Sequence, residues 1–195
     1  MILGVCGSPR KATTHYVLAQ ALGYLEKRGY ETVIYSVHGK NVNFCTHCNE
    51  CHNGNGCIIN DDVQSLYPLL REAEALVLAT PVYYGGVSAQ LKTLMDRTRA
   101  LFAADLHALR GKLGAAIAVG GDRAGGQELA LQQIHTFYII NGLIPVGGGV
   151  FGANLGAALW SKDSMDGIKA DKEGLKSLNK TMKNLSDQLE VNRNI

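Results

Sequence analysis

Short apolar runs alternate with stretches of helical periodicity along most of the chain, and this limits the fold more than any other feature. "ILGVC" at 2–6 reads as a strand, after which Val17, Leu18, Ala21, Leu22 and Leu25 recur at helical spacing up to a stop at Gly29. "TVIYSV" at 32–37 is a second strand. "DDVQSLYPLLREA" at 61–73 opens on an acidic capping pair and reads as a helix that Pro68 kinks or shortens. A strand over "ALVLATPVYYG" at 75–85 leads into a helix over "SAQLKTLMDRTRALF" at 88–102, with Ser88 as its cap. A strand over "LGAAIAVGG" at 113–121, a helix over "GGQELALQQIHTFYIING" at 125–142 and a last strand over "LIPVGGGVF" at 143–151 follow. Residues 152–171 read as loop, and Leu175, Leu178, Met182, Leu185 and Leu189 form the apolar stripe of a closing helix over 172–191. Strands of buried type alternating with helices imply an α/β fold, a doubly wound five-stranded parallel sheet covered on both faces. Five strands suit the order 2-1-3-4-5, in which ligands bind outside the carboxyl ends of the strands. The loops on that rim are therefore the ones to read for chemistry.

The chain has 195 residues, which predicts one domain over 1–195, with a cysteine-rich loop at 41–60 inserted after the second strand. At 46% hydrophobic and 18% charged it is globular rather than disordered. A net charge of +2 supplies no strong field for nucleic acid or an anionic membrane, and neither is expected as a partner. No apolar run approaches the roughly 18 residues of a membrane span. "MILGVCGSPR" lacks the basic start and cleavage site of a signal peptide, so a cytoplasmic location is expected, where thiols stay reduced.

The loop after the first strand is "GSPRKATT". Gly7 permits a tight turn beside Pro9, Ser8, Thr13 and Thr14 offer hydroxyls, and Arg10 and Lys11 offer charge. The helix behind them presents free N–H groups to an anion, which suits a phosphate monoester; the competing reading is a polar turn with a capping threonine. In "TPVYYGG", Pro81 stiffens the loop that Val82 continues, Tyr83 and Tyr84 can cover a flat ring, and Gly85 and Gly86 let a ligand approach. In "GGDRAGGQ", Gly120 and Gly121, followed by Asp122 and Arg123, leave backbone N–H groups accessible to ring carbonyls and nitrogens. Read singly, these are surface aromatics and turn formers; three such loops on one rim point to a ligand.

"FCTHCNECHNGNGCI" at 44–58 places Cys45, Cys48, Cys51 and Cys57 in the spacing C-x2-C-x2-C-x5-C. Residues 38–60 show neither helical nor strand pattern, and so long a connection needs a reason such as a metal centre. Three thiols at three-residue intervals with a nearby fourth suit one loop around a [4Fe–4S] cubane. Zinc held by four cysteines, or by cysteines with His47 or His52, and a redox disulfide are the alternatives. "CNECH" also fits a haem-attachment pattern, but two further cysteines flank it. Cys6 stands apart as a buried structural thiol.

"GSPRK" with its following hydroxyls, "TPVYYGGVSAQLKTLMDR" and "GGDRAGGQE" resemble the NAD(P)H-dependent FMN reductase superfamily, of flavodoxin-like fold, and the cysteines narrow this to the iron-sulfur flavoproteins. The first loop departs from the family's frequent Gly-Asn-Thr, reading Ala12-Thr13-Thr14. The resemblance implies FMN with its phosphate in the Ser8–Thr14 loop and its ring between Pro81–Gly85 and Gly120–Arg123. It also implies a homodimer or homotetramer in which cluster and flavin meet across subunits. The function expected is electron transfer from a one-electron donor such as a ferredoxin, through the cluster, to FMN and on to a small-molecule acceptor. Because the phosphate and cysteine loops leave neighbouring strands, both centres are expected on one side of the sheet. The rivals are an NAD(P)H-dependent flavin or quinone reductase with structural zinc, and a redox or oxygen sensor. No acid–base dyad is apparent: His15, His107 and His135 read as structural or surface residues, and Asp96 and Arg97 as a helix-surface charge pair open to a subunit contact. Residues 41–62 carry Glu50, Asp61 and Asp62 but no Lys or Arg, so an acidic donor would need basic help from Arg28, Lys40 or Arg71.

Overall fold

β1 (Ile2–Cys6) is buried throughout and pairs in parallel with β2 (Thr32–Ser36) on one side and β3 (Ala75–Pro81) on the other. β4 (Leu113–Gly120) follows β3, again in parallel, in a computed structural model that describes residues 1–193. The order 2-1-3-4-5 is the expected one, but the fifth position is shared by two short strands. β5 (Ile144–Val146) pairs with Leu113–Ala115, and β6 (Ala157–Trp160) pairs with Ile117–Gly120. Among the described residues the sheet therefore has six strands rather than five. The expected strand over 143–151 stops at Val146, where three glycines let the chain leave the sheet. The excursion is closed by Gly148 N–H donating to the Ala153 carbonyl at 2.6 Å and by the Lys180 ammonium donating to the carbonyls of Val150, Phe151 and Gly152. The expected loop over 152–171 holds β6 and a short helix, α6 (Met165–Ala170), capped by the Ser164 hydroxyl, which accepts from Gly167 N–H. Elements of four and six residues carry too little periodicity to be read against a loop.

Alternate residues of each strand feed two cores, as the pleat requires. On one face Ile2, Val77 and Ile117 pack under α1 (Thr13–Glu26) and α7 (Lys172–Arg193), which bury Val17, Leu18, Leu22, Leu178, Met182 and Leu185. On the other face Leu3, Val5, Leu76 and Leu78 pack under α2 (Leu66–Glu72), α3 (Ala89–Arg97), α4 (Arg99–Ala104) and α5 (Gln127–Ile140). Tyr138 anchors α5: its hydroxyl donates to the Ala115 carbonyl at 2.8 Å and accepts from Leu78 N–H at 3.2 Å. Pro68 falls in the first turn of α2, where its missing N–H costs no bond; a preceding 3₁₀ turn over Asp62–Ser65, capped by Asp61, absorbs the restriction it imposes. Ser88 caps α3 as expected, accepting from Leu91 N–H at 3.1 Å.

Candidate functional site

The loop from β1 to α1 is locked to the sheet before it turns. Gly7 N–H donates to the Ala79 carbonyl at 2.8 Å, and the Ser88 hydroxyl donates to the Gly7 carbonyl at 2.6 Å. A Cβ at Gly7 would lie 2.6 Å from Leu91 Cβ, so only glycine allows α3 to come this close. Ser8 is buried and spends its hydroxyl on the turn, donating to the Arg10 carbonyl and accepting Arg10 N–H. It shapes the loop rather than facing an open site. The helix cap is Ala12, not a threonine, and no side chain satisfies the first turn of α1. Thr14 is buried, while Thr13 is half-buried and Arg10 and Lys11 are exposed beside those uncapped N–H groups. Burial lowers the His15 pKa, and the charges of Lys11 and His38 lower it further, as a cationic neighbourhood requires. The fit for a phosphate is thus an uncapped helix N-terminus with two exposed cations beside it.

The β3 loop makes a two-residue hairpin turn, with Tyr83 and Gly86 exchanging both backbone hydrogen bonds at 3.0 Å. Its central residues, Tyr84 and Gly85, have φ of 48° and 76°. An aromatic residue held left-handed and fully exposed is an uncommon arrangement, and it presents the Tyr84 ring outward. The β4 loop approaches so closely that a Cβ on Gly126 would lie 2.6 Å from Gly85 Cα. Gln127 ties this loop together, accepting Gly125 N–H and donating to the carbonyls of Asp122 and Leu159. Pro81 is buried, Val82 donates its N–H to the Val119 carbonyl, and Gly121 and Asp122 line the loop's outer turn. The Arg123 guanidinium lies 4.8 Å from the Trp160 ring centroid and donates to Asp171 at 3.1 Å.

The cysteine loop leaves β2 at the same rim, where His38 Nδ1 meets the Pro9 carbonyl at 2.8 Å. It does not stay there. Cys45, Cys48, Cys51 and Cys57 line one hollow together with Arg97, Arg99 and Ala100, at the junction of α3 and α4. α3 starts at the rim and runs nine residues, so this junction lies ~13 Å further down the helix. The loop leaves at the expected rim, but its cysteines come to lie beside the far end of α3. Cys51 and Cys57 pack against the α2–α5 core, whereas α1 covers the opposite face.

Two arginines hold the loop, and both escaped the sequence reading. Arg97 is 1% exposed, not a surface charge. Its Nη1 donates to Asn43 O at 2.7 Å and Asp61 Oδ2 at 2.9 Å; its Nη2 donates to Ile59 O at 3.3 Å and Asp61 Oδ1 at 3.1 Å. Asn43 precedes the first cysteine and Ile59 follows the last, so one guanidinium draws the two stems of the loop together. Burial alone would raise the Asp61 pKa, but Arg97 and Asn43 N–H overcome it and hold the carboxyl below its ordinary value. Burial likewise disfavours the Arg97 cation, and the bonds to Asp61 reverse this and keep it charged. Arg99 reaches across the outside, donating to His52 Nε2 at 3.1 Å and Asn49 Oδ1 at 2.7 Å and meeting His47 Nδ1 at 2.8 Å. The signal for Arg97 was present: it falls on the buried stripe Leu91, Leu94, Leu101 at helical spacing. Of the expected basic helpers, Lys40 is paired with Asp62 at 3.8 Å, and Arg28 stacks on Tyr24 at the end of α1, on the other face.

All four loop cysteines are free thiols, which supplies the donor chemistry of a metal centre. Among the described residues no three His, Cys, Asp or Glu side chains gather closely enough for a single metal ion. His135, by contrast, is buried with its Nε2 at 2.5 Å from the Leu155 carbonyl, a structural role as expected. Cys6 is buried, and burial raises its thiol pKa, as befits an inert core thiol.

A groove of about 840 Å³ runs between α3–α4 and α5, from Tyr83 and Gly86 at the rim to Arg99 and Phe102 beside the cysteine loop. Among the described residues no helix is long and apolar enough to cross a membrane.

Comparison with known proteins places the chain in a family. The family described as NADPH-dependent FMN reductase matches residues 1–158. An iron-sulfur flavoprotein of Archaeoglobus fulgidus is 57% identical over 190 residues, covering 97% of each chain. An iron-sulfur flavoprotein of Methanocaldococcus jannaschii is 50% identical over 196 residues, covering 100% of this chain and 99% of its own. Among solved structures, a flavodoxin, WrbA-like protein from Agrobacterium tumefaciens superposes with a TM-score of 0.62 at 17% identity, covering 94% of this chain and 98% of its own, and shares the fold. The chain belongs to the NADPH-dependent FMN reductase family and, within it, to the iron-sulfur flavoproteins.

Proposed function

We propose that this flavin oxidoreductase holds FMN at the rim and a [4Fe–4S] cluster in the cysteine hollow, and that it carries electrons from a one-electron donor such as a ferredoxin to a small-molecule acceptor. The observation that carries the reading is the hollow itself: four free thiols around one space, with both loop stems clamped by a buried arginine. When bound, the two groups together turn single-electron delivery into two-electron transfer. The residues divide the remaining work. The uncapped first turn of α1, with Thr13, Thr14, Arg10 and Lys11, receives the phosphate, while Ser8 and Pro9 shape the turn that presents it. A single anion loop suits FMN rather than FAD. Pro81, Val82, Tyr83, Tyr84 and Gly85 on one side and Gly120, Gly121, Asp122 and Arg123 on the other bracket the ring. Cys45, Cys48, Cys51 and Cys57 ligate the cluster.

A homodimer or homotetramer accompanies this reading. The groove between α3–α4 and α5 ends at the flavin loop in one direction and at the cysteine loop in the other. A second copy laid across it in the opposite sense would set one subunit's cluster against its partner's flavin, and exposed Ile140 is the apolar side chain such a contact would cover. The free thiols suit a reducing compartment such as the cytoplasm.

Anaerobic purification with iron, acid-labile sulfide, zinc and flavin quantified tests the reading, followed by stopped-flow reduction. Stoichiometric iron, sulfide and FMN are expected, with reduction much faster by ferredoxin than by NADPH. Cys57→Ala should lose iron and sulfide, while Cys6→Ala keeps them. Zinc without sulfide, with rapid flavin bleaching by NADPH, would establish the reductase alternative.

A further inference from the structure

A guanidinium has five N–H donors. Arg97 places four of them, two on the Asp61 carboxylate and one each on the carbonyls of Asn43 and Ile59. The fifth, on Nε, is buried and has no partner. Leaving such a donor unsatisfied is destabilising, so a buried orphan asks for an acceptor. No protein acceptor meets it in bonding geometry, although several lie nearby. The Ile59 carbonyl accepts from Gln64 Nε2 at 2.9 Å as well as from Arg97, the Cys57 carbonyl accepts from Gln64 Nε2 at 2.7 Å, and the Tyr67 hydroxyl donates to the Arg97 carbonyl at 3.2 Å. Arg97 lines the same hollow as the four cysteines.

We infer that the Nε–H of Arg97 donates to a sulfur of the bound cluster, at or next to the Cys57 thiolate, and raises the cluster's reduction potential. The inference rests on the cluster reading above and adds one residue's role to it. The geometry favours this role. The Asp61 carboxylate and the two stem carbonyls fix the guanidinium plane on one edge, which leaves the Nε edge turned to the other side with no freedom to reorient. Reduction adds negative charge to the sulfurs, so a fixed donor stabilises the reduced form more than the oxidised one. A lysine at this position would keep the positive charge but lose the planar fork, which separates the hydrogen bond from the simple Coulomb effect.

Two measurements on the anaerobic holoprotein test this. In protein labelled with ¹⁵N-arginine and chemically reduced, pulsed EPR of the cluster should show a weak ¹⁵N coupling that Arg99→Lys retains and Arg97→Lys removes. In a redox titration, Arg97→Lys should lower the reduced-to-oxidised ratio of the cluster about tenfold at a fixed potential, a shift of about 59 mV for one electron. The labelled wild-type measurement stands even where Arg97→Lys fails to retain the cluster. Iron and sulfide analysis precedes both. Their absence overturns the cluster reading and this inference together, whereas a stoichiometric cluster with no arginine coupling, or an unchanged potential in iron-replete Arg97→Lys, overturns this inference alone.

Discussion

The glycine-led loop after β1 and the cysteine loop after β2 leave neighbouring strands, yet they are held by opposite means. The first is short and is fixed by backbone: Gly7 bonds across to β3 and presses against α3 with no side chain between. The second runs over twenty residues with only a 3₁₀ turn at Glu50–Asn53, and distant side chains hold it: Arg97, Asp61, Gln64 and Arg99. A loop of the first kind is a property of the sheet. A loop of the second kind depends on a few polar struts, each of which can be removed singly.

The largest effect should come from the strut at the neck. Asp61→Asn leaves the Arg97 cation buried against a neutral amide and should cost about 3–5 kcal/mol. Denaturant unfolding with iron and flavin analysis should show iron lost and FMN retained. Acid should act on the same strut in the apo form of the wild type. The Asp61 pKa is depressed in the folded state, so its contribution is present above about pH 4 and is lost as pH falls through the folded value. Asp61→Asn should abolish that acid-dependent component; a variant that loses stability in acid just as the wild type does would assign the component elsewhere.

The reverse arm of the comparison is Gly7→Ala. Its Cβ would meet Leu91, with overpacking of about 1–3 kcal/mol, and should weaken FMN affinity while iron stays bound. If both cofactors leave together, the two loops are not independent. The smallest effect belongs to the outer strut. Arg99→Ala removes partly exposed hydrogen bonds to His47, His52 and Asn49, worth about 1 kcal/mol in total after solvent competition. It should speed amide exchange across 47–53 without releasing the cluster, and unchanged exchange would make Arg99 a bystander.

This contrast also explains what could be read from sequence. The sheet order, the buried stripes of α1 and α7, the Ser88 cap and the grouping of four cysteines follow from local periodicity and spacing, which a linear string carries. The clamp does not. Asp61 reads as a helix cap, which it is, accepting Val63 N–H, but its second duty toward Arg97 spans 36 residues. Arg97 next to Asp96 invites a surface reading, although Asp96 pairs with Lys92 instead. The displacement of the cysteines down α3 was equally hidden, because the loop's point of departure fixes only one of its ends. The divided fifth strand was missed because "AALW" is too short to announce itself.

That divided strand has a consequence for how the molecule behaves in a crowded solution. A sheet ends in strands whose outward N–H and C=O groups can recruit a stranger's backbone. Here one margin is broken into runs of three and four residues, with the excursion between them bringing exposed Val150 and Phe151 out from the edge. The other margin, β2, is five residues long and gives way at once to the folded-back cysteine loop. Neither border offers a long unbroken ladder, so a partner strand would find only a few consecutive bonds before the template ran out. The interruption that conceals the last strand from a reader of the sequence also conceals it from other chains.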